Sequence, residues 1–497
     1  MMKHFLSIVY TRLSLCKALL ASLFMLGALV GCAPQPDHPT SVNRLPIIFP
    51  HYTDVMLPPN IAPLNFQLTD SASAVSVEIN GETILSASGS KAIFDPDDWK
   101  QLLKTYRGQT VKVKVYAQYG DQWRAYKPFA WTISNDSIDP YLSYRMISPS
   151  YVSYEELTLN QRCLENDDEE VMVDNMLSST EEEGQCVNCH SYQNYRPDRM
   201  QFHARQNHGG TFIMEGEKRK KVALKDDKML SAGVYPAWHP QLNLIAYSTN
   251  KTVQSFHTRD INKIEVLDGA SDLVLYDVDT DKITTIEARN DEFETYPSWS
   301  PDGRYLYYSS AHLVYPGDTN DIAYALQHAQ DIKYNIYRKA FDPQTRQFGP
   351  RELVFAADSI HQSATLPRIS PDGRWLLFSM GSYGCFHIWH KDADLWMMDL
   401  QSKKVAPLTP ANSAEAESYH TWSSNGRWVV FSSRRDDGVY TRLYFTHIDR
   451  NGHASKPFEL PQTDPDHAHE LLKSYNIPEL MKGHVDLTPQ EAARVMR

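Results

Sequence analysis

The chain of 497 residues is 42% hydrophobic and 22% charged, enough apolar material for about two to four domains. Its formal net charge of −12 excludes the broad basic face that a nucleic-acid partner requires.

The N-terminus reads as an export signal. Lys3, Arg12 and Lys17 precede an apolar run over 18–31, too short for a comfortable membrane span of about 20 residues. The run ends in Leu29-Val30-Gly31-Cys32, which resembles a bacterial lipobox. The resemblance implies a signal peptide over 1–31 and acylation of Cys32. With Ala33 next, where Asp would suggest inner-membrane retention, it implies an outer-membrane anchor. The body would face the periplasm or the cell surface. A Pro-rich linker over 32–44 follows. Outside the cytosol, disulfides and covalent haem attachment are both permitted.

Residues 45–135 have a β pattern. "AVSVEINGETIL" alternates Val75, Val77 and Ile79, turns at Asn80-Gly81 and returns through Ile84, as a tight hairpin requires. "TVKVKVYAQYG" and "FAWTI" alternate in the same way. One short helix is predicted after "FDPDDWKQLL", with Asp95 as N-cap and Pro96 at the first helical position. These strands predict an immunoglobulin-like β-sandwich.

Residues 136–210 read as a connecting segment. The acidic run 165–170 reads as a solvated loop, since it lacks the Gly and terminal Glu of a calcium loop.

The second half repeats. "YPAWHPQLNLIAYSTN", "YPSWSPDGRYLYYSSA", "LPRISPDGRWLLFSMG" and "YHTWSSNGRWVVFSSR" each place a turn before an apolar strand, and each is followed by a second hairpin. Such a unit buries its faces only against its neighbours, which is the logic of a β-propeller. Ser300-Pro301-Asp302-Gly303-Arg304 and Ser370-Pro371-Asp372-Gly373-Arg374 resemble the TolB-like propeller repeat. Ser423-Ser424-Asn425-Gly426-Arg427 is a near match, while His239-Pro240-Gln241-Leu242-Asn243 has drifted. The resemblance covers 211–462 and implies five or six blades. The tail 463–497 carries a capping box, Thr488 with Glu491, for a short helix.

Cys186, Cys189 and His190 spell Cys-x-x-Cys-His. The pattern resembles the c-type cytochrome motif, which implies one covalent haem c: two thioethers from the cysteines and His190 as proximal iron ligand. His203 is the preferred distal ligand, with Met200, His387 or His390 as alternatives. Arg196, Arg199 and Arg205 are candidate propionate contacts. A zinc site of Cys186, Cys189, His203 and His208 is the rival reading. Cys16 leaves with the signal, so Cys163 and Cys385 remain as a candidate disulfide pair. No nucleophile elbow or phosphate loop is present. The expected function is electron transfer or redox sensing with a docked partner protein. The alternatives are a non-catalytic propeller scaffold that binds protein or glycan at the envelope, and a haem oxidoreductase.

Overall fold

The computed structural model describes residues 34–149, 156–178, 180, 184–227, 229–317 and 322–497. The expected signal, Cys16 and Cys32 lie outside these residues. The chain is mainly β and divides into two compact units. Among the described residues, the first comprises 34–47, 68–92 and 113–128. Here the hairpin Ala74–Ile79/Glu82–Ser88 turns at Asn80 (φ 51°) and Gly81 (φ 93°), the two left-handed residues that a tight hairpin needs. Its first strand pairs with Thr110–Tyr119, which pairs in turn with Gln122–Ala125.

The second unit holds 48–67, 93–112 and 129–497. Helix Pro96–Thr105 starts at Asp95, whose side chain accepts from the N–H groups of Asp97 and Asp98. The indole of Trp99 donates to the Ile61 carbonyl at 3.0 Å, and that of Trp131 to Tyr52 at 2.7 Å.

From Tyr141 onward the described strands form a β-propeller of six four-stranded blades. Blade one is Gln185–Tyr192, Arg199–Gln206, Gly210–Glu215 and Lys218–Val222. Blades two and three begin at Val234–Trp238 and Glu292–Trp299 and are joined by one parallel pair, Ser271 with Phe293. Blades four and five begin at Ser363–Ile369 and Glu417–Trp422. The sixth, closing blade draws Tyr141–Ile147, Thr158–Cys163 and Glu169–Asp174 from before the others. Its innermost strand, Ser474–Met481, comes from after them and pairs antiparallel with Tyr141–Ile147. Each innermost strand touches the next, and Ser474–Met481 touches Gln185–Tyr192, so the ring is closed.

Two expectations change here. Most of the segment assigned as a connector is blade: 141–174 supplies three strands of the closing blade, and 185–206 supplies two of blade one. The tail contributes the closing strand as well as its helix Pro489–Met496, whose Thr488–Glu491 capping box is formed. Neither segment carries the Ser-Pro-Asp-Gly turn by which the other blades are recognised.

That turn explains the repeat. Ser300 Oγ donates to Asp302 at 2.6 Å and accepts from the Tyr305 N–H at 2.9 Å, while Asp302 accepts from the Arg304 N–H at 3.1 Å. The same bonds recur around Ser370 and Ser423. In the drifted copy, His239 Nδ1 caps the Gln241 and Leu242 N–H groups instead, at 3.1 and 3.0 Å. Its ring lies against Gly303 (φ +70°), where a Cβ would come within 2.4 Å of the imidazole. Only glycine suits that position.

Candidate functional site

A second repeat, within the innermost strands, builds the channel. Each strand contains one residue with positive φ: Cys189 (55°), Tyr235 (49°), Tyr296 (52°), Leu366 (55°), Tyr419 (46°) and Ile477 (51°). A register shift accompanies every one of them. These are β-bulges, which insert a residue and re-aim its side chain. All six line one small cavity of about 50 Å³ at the centre of the ring. Tyr235 and Tyr296 stack there with ring centroids 4.5 Å apart.

A larger cavity of about 340 Å³ opens where the inner strands end. Its rim carries turn residues Pro240, Pro301, Pro371 and Ser424. Arg368 and Glu479 pair there at 2.9 Å, and Thr421 Oγ1 donates to Glu479 at 3.3 Å. The indoles of Trp299 and Trp422 are turned inward, donating to the Ala237 and Arg368 carbonyls of the preceding blades at 3.0 and 3.2 Å.

Where the strands begin, the loop between blade four's second and third strands covers the ring. Gly384 N–H donates to Ile332, Ser363 Oγ donates to the Gly384 carbonyl at 2.6 Å, and Tyr296 Oη donates to the Cys385 carbonyl at 3.2 Å. His387 Nδ1 lies 3.0 Å from Thr365 Oγ1, and His390 Nε2 lies 3.0 Å from Glu265, both imidazoles being buried. These histidines therefore serve the cover and lie among blades two to four.

Cys186, Cys189 and His190 all stand on the innermost strand of blade one. Cys189 and His190 are 3% and 2% exposed. Both border the small central cavity, because the bulge at Cys189 breaks the ordinary alternation of the strand. The Cys189 thiol lies near Arg205 and the Tyr235 backbone, and burial pushes its pKa up. His190 packs toward Ser143 and Arg145 of the closing blade. Burial, then the Arg145 cation, lowers its pKa to about 3. Neither of its ring nitrogens has a hydrogen-bond partner at normal distance.

The other predicted residues are spread over blade one. His203 stands opposite Asn188 and meets Thr211 Oγ1 at 3.1 Å; burial lowers its pKa to about 4. Arg205 pairs across from Cys186 and is exposed. Arg196 is held by Asp198 at 2.5 Å, and Arg199 by Glu215 at 3.1 Å. Met200 is buried in the apolar core with Phe202 and Phe212. Among the described residues, one trio of metal-ligating groups has its ligand atoms within 4.8 Å of one another: Asp291, Glu292 and His312. Cys186, Cys189, His203 and His208 do not converge in that way. Cys163 and Cys385 are both free thiols, in the closing blade and the blade-four loop, so the candidate disulfide is not formed.

A porphyrin at this place would need both thiols on its edge and the imidazole beneath its iron. Here Cys186 packs against the apolar cluster of Met200 and Phe202, while Cys189 and His190 line a cavity of only about 50 Å³. That is the share of one or two waters, against about 300–1,000 Å³ for pockets that take small molecules. The residues as placed do not fit the group.

Arg368, Glu479 and the channel tyrosines were not singled out by sequence reasoning. Their signal was the recurring Tyr-Pro, Leu-Pro or Tyr-His pair, four and three residues before each turn.

No protein-family model matches the chain, and no curated protein is similar to it. Among solved structures it is similar to TolB from Acinetobacter baumannii, with a TM-score of 0.42 and 13% identity over 78% of this chain and 85% of that one. It is also similar to an apocarotenoid oxygenase variant from Synechocystis, with a TM-score of 0.38 and 9% identity over 88% and 97%. The tricorn protease gives a TM-score of 0.33 and 11% identity over 72% of this chain, which spans 33% of that one. The strand order of the six blades, rather than these likenesses, carries the fold.

Proposed function

We propose that the chain is an envelope-anchored, non-catalytic propeller scaffold that seats an extended segment of a partner protein in the open mouth of its ring. The observation that carries this reading is the cavity of about 340 Å³, rimmed by prolines and serines and centred on the Arg368–Glu479 pair. The cavity is concave and mixes prolines with serines, Thr421 and the Arg368–Glu479 pair, placed polar groups of the kind that orient a bound segment. A glycan would call for exposed aromatic faces. Trp238, Trp299 and Trp422 are only 6%, 8% and 2% exposed, which favours a peptide. Electron transfer through a covalent haem has the Cys-x-x-Cys-His spelling alone in its favour and ranks below. The test is site-specific photocrosslinking in the native envelope. A crosslinker at Pro240 or Pro301 should capture a defined protein, and Pro371→Trp should abolish the capture by filling the mouth. Equal capture from the outer edge, at Lys404, would sink the proposal.

A further inference from the structure

We infer that the Cys-x-x-Cys-His of blade one is that blade's copy of the channel bulge shared by all six blades, and not a cofactor attachment site. Set by register, the six copies read Cys189-His190, Tyr235-Pro236, Tyr296-Pro297, Leu366-Pro367, Tyr419-His420 and Ile477-Pro478. The first residue of each pair has positive φ, between 46° and 55°, and lines the central cavity. Cys189 holds the place that tyrosine holds in blades two, three and five. The second residue is proline in four copies and histidine in two.

The two histidines do the same thing. His190 faces Ser143 and Arg145 of the closing blade, and His420 faces the Leu366 and Leu377 backbone of blade four. Each packs onto the blade before it in the ring. Both are buried, at 2% exposure, and neither has a hydrogen-bond partner on its ring nitrogens at normal distance. His420 has no cysteine beside it, yet its surroundings match those of His190. The shared features are therefore properties of the position rather than of a haem motif. Asn188 adds a local support: its side chain accepts from both the Cys189 N–H, at 2.8 Å, and the Arg145 guanidinium. The bulge is thus tied to the closing blade at the junction where the ring shuts.

The test uses the full chain exported by a host that matures c-type cytochromes. Its intact mass should show no porphyrin adduct, and it should lack a Soret band. A thioether-linked porphyrin on Cys186 and Cys189 would overturn the inference. Independently, His190→Pro and His420→Pro restore the residue of the other four blades. Each should unfold cooperatively, with Tm within about 3 °C of the parent. Loss of cooperative unfolding in His190→Pro while His420→Pro folds would show that blade one is not an equivalent copy. Loss in both would overturn the shared-bulge assignment itself. Neither result depends on whether the open mouth binds a partner.

Discussion

Asp139 accepts both the backbone N–H and the hydroxyl of Ser424, each at 2.6 Å. Ser424 stands where the other three turns have proline, which has no N–H to give. The stretch leading into the closing blade thereby docks on blade five, helped by Asn425 donating to the Ser137 carbonyl and the Trp428 indole donating to Asp136. The departure from the repeat is thus a docking contact. Ser424→Pro should destabilise the chain by about 2–4 kcal/mol, because it leaves the Asp139 carboxylate buried without its donors. Urea unfolding measures this, and an unchanged midpoint would refute it.

Glu294 is fully buried between blades two and three, and neither carboxylate oxygen has a hydrogen-bond partner at normal distance. Burial, then the nearby Asp272, Glu292 and Glu287 charges, raises its pKa to about 9. The folded pKa lies above the unfolded one, so the stabilising contribution is complete below about pH 4.5 and is lost as pH rises through about 9. Glu294→Gln should match the parent at pH 5 and exceed its Tm by several degrees at pH 9. Parallel Tm curves for the two proteins would contradict this assignment.

Acid should act through a different set of groups. Burial lowers His239 to about 4 and His387 and His420 to about 3. With folded values below the unfolded value of about 6.5, the unfolded chain binds protons that the native state refuses. Stability is therefore intact above about pH 6.5 and falls as pH drops toward 3. Each neutral replacement, such as His387→Gln, should reduce the slope between pH 6 and 4 by up to about 1.4 kcal/mol per pH unit. A slope insensitive to all three replacements would rule out this mechanism.

Removing residues 474–497 takes away the strand that joins the closing blade to the ring. Arg145 would lose its strand partner Asn476 and Met146 would lose Tyr475. The truncated chain should lose its single unfolding transition and expose apolar surface that binds a hydrophobic dye. Supplying the missing strand as a peptide should recover part of the transition; full stability without it would argue that the ring does not depend on closure.

The propeller was legible because its turns are spelled locally. Ser-Pro-Asp-Gly encodes a hydroxyl cap, a fixed φ and a left-handed glycine within four residues, and the Asn80-Gly81 hairpin was readable for the same reason. The closing blade was not legible, since pairing Arg145 with Asn476 depends on strands at opposite ends of the chain. Blade one was obscured by chemistry that looked more specific than its fold. A cysteine on the channel bulge and a histidine in the proline position spell a cofactor motif when read along the chain. Only register against Tyr235-Pro236 and its sisters shows the other origin.

The split origin of the closing blade also orders events during folding. A chain delivered N-terminus first presents Tyr141–Ile147, Thr158–Cys163 and Glu169–Asp174 long before Ser474–Met481 arrives to cover them. Their open edge needs a temporary companion for that interval, such as a holdase chaperone. Any product cut short of Met481 remains visible to quality-control proteases as an unfinished ring.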